Sequence, residues 1–223
     1  MIKWISYTGK GRRKQNEDWL VCKPLGDSAS LLLIADGIGG YAFGAESAQL
    51  VASTIASVLE NDPTFCIPEA VRLANEALAR FKAQKRIDNT GCTIAGAIVF
   101  SDVARVFWAG DSRVYVIRDK HIVYETEDHS LINEMKKVRV LTPEQIDMYG
   151  HIVRKAIMGE ESDIAEVVDI PISEGDEILV CSDGLYRNLP VDLALMKLRE
   201  KRDSFRIDGR KFDDNHSLIY AVV

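Results

Sequence analysis

Three apolar segments of this chain each end in an aspartate that lies next to a glycine. They span residues 31–36, 106–111 and 178–183, and an aspartate pair, Asp213 and Asp214, precedes a last apolar segment. Burying one carboxylate at a strand end costs free energy, and gathering several adds mutual repulsion. Hard divalent cations held by oxygen ligands are the usual compensation. The pattern therefore predicts a metal site, although each aspartate taken alone is also typical of a turn.

Asp36 is the strongest single candidate because it follows four aliphatic residues and an alanine. Gly37, Gly39 and Gly40 come next and give a loop whose backbone can approach a ligand closely. The loop is not a dinucleotide-binding fingerprint because the GxGxxG spacing is absent. A tight turn, with Asp36 as a helix cap, is the structural alternative.

A second candidate group lies in the segment RKQNED, where Arg13 precedes Glu17 and Asp18. A guanidinium binds two phosphate oxygens with its planar fork, which a lysine ammonium cannot do. An arginine beside two carboxylates therefore suits a phosphoryl group that is held next to a metal ion. A solvated charged loop is the alternative.

The elements that must position these residues are mostly short β-strands. Segments rich in Val, Ile and aromatic residues, bounded by Gly, Asp or Asn, predict strands over 4–7, 19–23, 31–35, 92–100, 104–109, 113–118, 122–125, 165–170, 177–181 and 217–223. Helical spacing of apolar residues predicts helices over 44–59 and from Pro68 to about residue 85. The helices fall between the third and fourth strands, so we predict an α+β fold with antiparallel sheets and helices outside them.

Residues 130–159 differ from the rest of the chain because they contain few β-formers and many basic residues. We expect a small helical excursion from the sheet core, with Thr142 as the cap of a helix. Its basic residues either meet an acidic or phosphorylated substrate or form a solvated helical face. They are Lys136, Lys137, Arg139, Arg154 and Lys155.

Length, charge and cysteine content narrow the class of protein. The 223 residues suit one domain over 1–223, and the net charge of −6 disfavours nucleic acid as the main partner. We expect neither a signal peptide nor a membrane span, since no apolar run of the necessary length occurs. The four cysteines show no CxxC pair, which predicts reduced thiols and a cytoplasmic location.

Seven short segments carry a resemblance to a known family. RKQNED, ADGIGG, TGCTIAGAIV, WAGDSRVY, EDHS, CSDGLY and DDNHSLIYAVV occur in this order across nearly the whole chain. Together they resemble the motif series of the metal-dependent protein phosphatase 2C family, bacterial type. The resemblance implies a four-layer αββα sandwich, two mainly antiparallel sheets flanked by helices, with a mobile flap over about 130–159. It also implies hydrolysis of phosphoserine and phosphothreonine in proteins with two or three Mn²⁺ or Mg²⁺ ions.

The resemblance assigns metal ligands to single positions. Asp36 would bridge two metal ions, with the Gly37 carbonyl as a further ligand, and Asp183 and Asp214 would complete the shell of the first ion. The stretch between these last two residues is short, so we expect one flanking helix fewer there and keep Asp213 as the alternative ligand.

Other acidic and basic positions also match the family's motifs. Glu17 and Asp18 match acidic positions near the metals, and Asp111, together with Asp183, matches the position of a third metal. Arg13 matches the arginine that binds phosphate. The resemblance gives Thr93, Ser112 and Asn215 supporting structural roles.

The implied chemistry needs no nucleophile from the protein. Two cations lower the pKa of a bridging water, the resulting hydroxide attacks phosphorus in line, and Arg13 helps to neutralise charge on the equatorial oxygens. Ile38 stands where many relatives have a histidine proposed as the general acid, and we expect His129 to be structural. The implied partners are phosphorylated proteins, with a cognate bacterial serine/threonine kinase as their source. The alternatives are a non-catalytic phosphoprotein-binding domain of this fold and a small-molecule phosphoesterase.

Overall fold

The computed structural model describes residues 2–200 and 205–223 and contains two five-stranded antiparallel sheets. The first sheet has the strand order β1-β10-β9-β6-β7 and the second has the order β2-β3-β4-β5-β8. The strands are β1 (Lys3–Gly9), β2 (Asp18–Leu25), β3 (Ala29–Gly37), β4 (Cys92–Val99), β5 (Val103–Ala109), β6 (Arg113–Arg118), β7 (His121–Glu125), β8 (Glu166–Pro171), β9 (Glu177–Cys181) and β10 (His216–Val222).

Six α-helices and a 3-10 helix (Gly209–Lys211) accompany the sheets within the described residues. The α-helices are α1 (Gly44–Asn61), α2 (Ile67–Lys85), α3 (Leu131–Lys136), α4 (Pro143–Tyr149), α5 (Asp183–Tyr186) and α6 (Val191–Glu200). Thr142 caps α4 through a complete capping box with Gln145, as its sequence predicts. None of the helices in these parts of the chain combines the length and the apolar character that crossing a bilayer requires.

Three apolar layers hold the sandwich together, and β3 shows how. Leu31 and Leu33 pack in the layer between the second sheet and helices α1 and α2, whereas Leu32 and Ile34 pack in the layer between the two sheets. Because both faces of the strand are covered, its sequence is a continuous apolar run and does not alternate. A third layer joins the first sheet to α5 and α6. The arrangement is the four-layer αββα sandwich that the family resemblance implies.

The predicted strands all occur, and the ends of most differ by only one or two residues. The predicted helices also occur, α1 ending at Asn61 and α2 beginning at Ile67. The stretch between Asp183 and Asp214, where we expected one flanking helix fewer, contains the short helix α5 and the longer helix α6.

The antiparallel pairing brings the chemically interesting strand ends to one end of the sandwich. In the second sheet, Asp18 at the start of β2 pairs with Asp36 near the end of β3, and Asp36 pairs with Thr93 at the start of β4. In the first sheet, the end of β9 lies between the starts of β6 and β10, because Cys181 pairs with Arg113 and with Leu218. The segments that carry the predicted acids therefore leave both sheets on the same side.

Candidate active site

A cavity of about 240 Å³ lies at this end of the sandwich. It brings together most of the predicted site residues and several that the sequence did not suggest. The lining consists of Arg13, Asp36, Gly37, Ile38, Gly39, Thr93, Asp111, His151, Val153, Asp183, Arg187 and Asp214. Four carboxylates from four different segments of the chain thus line one cavity together with two arginines, Arg13 and Arg187.

Asp36 is the most strongly perturbed acid at the cavity. Desolvation raises the pKa of its carboxyl well above the usual range, and the nearby charges of Asp18, Asp183, Asp111 and Asp214 raise the pKa further. A carboxylate in this position repels its neighbours whenever all of them are ionised. A positive charge bound in the cavity would reduce this repulsion.

Asp18 lies directly behind this cavity and does not line it. Its Oδ2 accepts hydrogen bonds from Ser182 Oγ at 2.9 Å and Ser217 Oγ at 2.5 Å. Its Oδ1 is buried and has no hydrogen-bond donor among the described residues. Desolvation raises the pKa of Asp18 to about 6, although the two serines lower it. The unpartnered oxygen of a buried carboxylate is a site that a cation or a proton would satisfy.

Asp111 and Asp183 share the positive charge of Arg187. The guanidinium Nη2 donates to Asp111 Oδ2 at 2.9 Å, and Nε lies 3.2 Å from Asp183 Oδ2. Desolvation raises the pKa of Asp111 to about 7 and also raises the pKa of Asp183, while Arg187 lowers both. The positive charge of Arg187 thus stabilises the ionised form of both carboxylates.

Arg13 lies at the mouth of the cavity and binds the fourth acid, Asp214. Its Nη2 donates to Asp214 Oδ2 at 2.7 Å. The next acid in the sequence, Asp213, instead pairs with Arg12 at 2.8 Å, is highly exposed and does not line the cavity. The structure therefore favours Asp214 over Asp213 as the residue that belongs to the site.

Glu17 lies beside Gly37 and does not line the cavity. Its side chain packs against Gly44 and accepts a hydrogen bond from Gln15 Nε2 at 2.9 Å. Its carboxylate is not part of the cavity lining, but its negative charge helps to raise the pKa of Arg13, so Glu17 acts on the site from its edge.

Asn215 holds the loop that carries Arg13. Its Nδ2 donates to the carbonyls of Lys10 and Gln15, and its Oδ1 accepts from the backbone N–H of Glu17. The structural role suggested for Asn215 agrees with these bonds. Thr93 and Ser112 are joined by a hydroxyl contact of 2.8 Å beside the cavity.

His129 serves the loop before Asp111 without lining the cavity. Its ring stacks on Trp108, its Nδ1 accepts from the backbone N–H of Gly110 at 3.1 Å, and its Nε2 lies 2.8 Å from Glu166 Oε1. Burial lowers the pKa of His129, which favours the neutral ring that these bonds require. The geometry agrees with the structural role that we expected.

The basic residues of the excursion over 130–159 are largely neutralised by the chain itself. Lys137 pairs with Glu127 at 2.7 Å, Arg154 with Glu134 at 3.2 Å, and Lys155 with Glu166 at 2.9 Å. These contacts favour a solvated, internally paired face over a surface dedicated to acidic substrates.

A larger cavity, of about 570 Å³, lies elsewhere between the sheets, near Ile2, Ala29 and Val223. None of the predicted site residues lines it. We therefore place the chemistry at the smaller cavity, where the carboxylates converge.

The donor set at the smaller cavity suits a hard divalent cation. Carboxylate and carbonyl oxygens are the ligands that Mg²⁺ and Mn²⁺ prefer, and the unpartnered Asp18 oxygen marks a local lack of positive charge. Among the described residues, however, no three Asp, Glu, His or Cys side chains already form a ready-made metal shell. The guanidinium groups of Arg13 and Arg187 bind three of the four acids instead.

Arg187 and His151 are cavity residues that the sequence analysis missed. Arg187 follows Asp183 by four residues on one helical turn, and this spacing could have indicated the ion pair. His151 comes from the excursion and reaches the cavity only through the fold, so nothing in its local sequence marks it.

Comparison with known proteins agrees with this architecture. Residues 11–210 match the profile of the family described as protein phosphatase 2C. The serine/threonine protein phosphatase PstP of Mycobacterium tuberculosis is 28% identical over 193 residues, which is 83% of this chain and only 36% of that protein. The chain thus spans about a third of that relative. The serine/threonine phosphatase stp of Listeria welshimeri is 26% identical, covering 97% of this chain and 93% of that protein.

Solved structures show the same fold. The crystal structure of the PstP catalytic domain in complex with two manganese ions superimposes with a TM-score of 0.81 at 25% identity, covering 99% of this chain and 97% of that one. A bacterial serine phosphatase gives a TM-score of 0.87 at 22% identity, with 100% of this chain and 98% of that one covered, which supports the fold alone. The family match covers most of the chain, and this chain belongs to the protein phosphatase 2C family.

Proposed function

We propose that this protein hydrolyses phosphoserine and phosphothreonine in other proteins with the help of two or three Mn²⁺ or Mg²⁺ ions, and that residues 1–223 act as one catalytic domain. The observation that carries the proposal is the convergence of Asp36, Asp111, Asp183 and Asp214 on one cavity with Arg13 at its mouth. Family membership and the manganese complex of the PstP domain support the same conclusion.

The ligands that we propose for the ions are the four cavity carboxylates and the Gly37 carbonyl, with Glu17 and Asp18 acting from behind this first set. Bound cations of this kind supply an activated water and neutralise charge on phosphate oxygens. The protein's part is to gather oxygens from both sheets, so that a cation recovers the free energy lost when the carboxylates are desolvated.

Arg13 is the residue that we propose to bind the phosphate. Its guanidinium is nearly half exposed and uses Nη2 for Asp214, so its other N–H groups can meet a substrate that arrives from solvent. The missing Cβ of Gly39 leaves room for this side chain, because a Cβ there would lie 3.2 Å from Arg13 Nη1. Ile38 lines the same cavity, but its side chain has no ionisable group, so it cannot protonate the leaving oxygen.

The partners that we propose are phosphorylated proteins, with a bacterial serine/threonine kinase as the enzyme that phosphorylates them. The names of the mycobacterial and listerial relatives support this substrate class. We also propose a cytoplasmic location, and the four free thiols, Cys92 and Cys181 among them fully buried, are compatible with it.

A direct test is phosphate release from a phosphothreonine peptide by purified protein, measured with Mn²⁺, with Mg²⁺ and with excess EDTA. We expect release that depends on the metal and stops in EDTA. No release at any metal concentration would contradict the enzymatic proposal, and binding of the peptide without turnover would instead indicate a phosphoprotein-binding domain. A small aryl phosphate tested in parallel separates the remaining alternative, since a small-molecule phosphoesterase would hydrolyse it and spare the peptide.

A further inference from the structure

Arg187 occupies the corner of the cavity between Asp111 and Asp183. Its guanidinium reaches both carboxylates, at 2.9 Å and 3.2 Å, and these acids are only 6% and 16% exposed. The same Nη2 also donates to the Gly150 carbonyl, at 3.1 Å, just after helix α4. One cation thus satisfies two acids and a backbone carbonyl.

The surroundings fix this guanidinium firmly at the corner. Arg187 ends the turn that begins at Asp183, its own N–H donating to the Asp183 carbonyl at 3.0 Å. The neighbouring Tyr186 donates its hydroxyl to the Asp111 carbonyl at 2.9 Å, and its ring lies under the guanidinium of Arg113. The backbone that carries Asp111 and the turn that carries Arg187 are therefore held together by contacts that do not involve the ion pair itself.

We propose that Arg187 serves as a built-in cation at the Asp111–Asp183 corner, so that the protein binds divalent metal at the Asp36 side of the cavity and excludes a third ion from this corner. This inference rests on the proposed metal-dependent function and narrows it to two ions, with Asp111 neutralised by Arg187 and not by a metal ion. A divalent ion that bound between the two acids would have to displace the guanidinium and break its bond to Gly150. The displaced charge, tethered on a short helix, would remain nearby and repel the ion.

The test is to count bound Mn²⁺ on the metal-stripped full chain by isothermal titration calorimetry and by electron paramagnetic resonance of the free ion. We expect two ions on the wild type and a third on Arg187→Gln, which removes the charge and keeps a polar side chain. The affinity for the third ion should rise by at least about tenfold in this variant. Arg187→Lys keeps the charge and should bind the same number of ions as the wild type.

Arg118→Gln is a matched control. Like Arg187, Arg118 binds both a nearly buried aspartate, Asp176, and a backbone carbonyl, that of Pro171. It lies at the end of β6 that is remote from the cavity. This variant should leave the metal count unchanged. Equal counts and affinities for the wild type and Arg187→Gln would overturn the inference while leaving the proposed function intact. Absence of Mn²⁺ binding to every variant would overturn both.

Discussion

Two adjacent arginines, Arg12 and Arg13, allow a matched test of phosphate binding at the scale of single residues. Each pairs with one of two adjacent aspartates, but only Arg13 and Asp214 line the cavity. We expect Arg13→Ala to raise KM for a phosphothreonine peptide by about ten- to a hundredfold, because a charge-assisted hydrogen bond to phosphate is worth about 1.5–3 kcal/mol. Steady-state kinetics measure this, with Arg12→Ala as the control. An equal effect of both variants would refute the assignment.

Asp36→Asn should remove metal-dependent turnover without unfolding the protein. Mutation of residues that merely support a metal ligand costs about 10–100-fold, so loss of a direct ligand should cost more than about a hundredfold. In EDTA the variant should melt at a higher temperature than the wild type, because its neutral amide ends the repulsion among the clustered acids.

Phosphate release and a thermal melt measure both effects of this substitution. Asp213→Asn is the control, since Asp213 is 80% exposed and faces Arg12. The control should leave turnover and melting nearly unchanged. Full turnover by Asp36→Asn would contradict a role for Asp36 at the metal.

Single residues were predictable from sequence where a strand ends in an acid, and unpredictable where a partner comes from a distant segment. Asp36, Asp111 and Asp183 follow apolar strands and are found at the cavity. The choice between Asp213 and Asp214 could not be made from sequence, because neighbouring residues before a strand point in different directions. Only the fold brings Arg13 to Asp214, across about 200 residues of chain.

At the scale of elements, apolar pattern predicted the strands and the long helices, because both sheets are buried on their inner faces. Helices α5 and α6 were both missed, and the four residues DGLY of α5 are also typical of a turn. The first residue of α5 is Asp183, so this short helix places one of the site acids. Helices α1 and α2 cover the outer face of β3, which explains why its apolar residues form a continuous run and do not alternate with polar ones.

The close contact between α5 and the start of β10 gives a prediction for the element scale. A Cβ added at Gly184 would lie 1.9 Å from the Asn215 carbonyl oxygen, which is backbone and cannot move aside easily. Gly184→Ala should therefore destabilise the protein by roughly 1–3 kcal/mol or more. Chemical denaturation measures the loss, and Lys197→Ala, on an exposed residue of the neighbouring helix α6, should change stability far less. An unchanged denaturation midpoint for Gly184→Ala would show that the two elements can separate freely.

At the scale of the whole molecule, the chain is acidic overall, and its cavity concentrates negative charge further. The formal net charge is −6, and several acids at one end of the sandwich are desolvated. Acidic residues paired with arginines elsewhere behave differently. Arg105 and Arg118 lower the pKa values of Asp169 and Asp176, so these pairs stabilise the fold above the ordinary range of aspartate and lose that effect only in acid.

The cavity acids have the opposite linkage and should make the metal-free protein less stable as the pH rises. In the folded state the pKa values of Asp111 and Asp18 are about 7 and about 6, compared with 3.8 for an ordinary aspartate. Between pH 4 and 7 the folded protein therefore holds more protons than the unfolded chain, and raising the pH removes stability until both groups are ionised. His129 and His216, whose pKa values burial lowers, act in the other direction up to about pH 6.5.

A comparison of two proteins isolates the contribution of the cavity acids from that of the histidines. In EDTA, the melting temperature of the wild type should fall between pH 5 and 8 relative to that of Asp111→Asn, which has no carboxyl to ionise there. Over this pH range the wild type should lose a few kcal/mol of stability relative to the variant, because one pKa unit corresponds to about 1.4 kcal/mol. In a protein of this size, that loss lowers the melting temperature by roughly 5–10 °C. Saturating Mn²⁺ should raise the melting temperature but reduce the fall only in part, because the ion binds at the Asp36 side of the cavity and Arg187 keeps it away from Asp111. If the melting temperatures of the two proteins changed in parallel with pH in EDTA, burial would not raise the pKa of Asp111. The positive charge already present in the cavity would then be enough to stabilise its ionised carboxylates without metal.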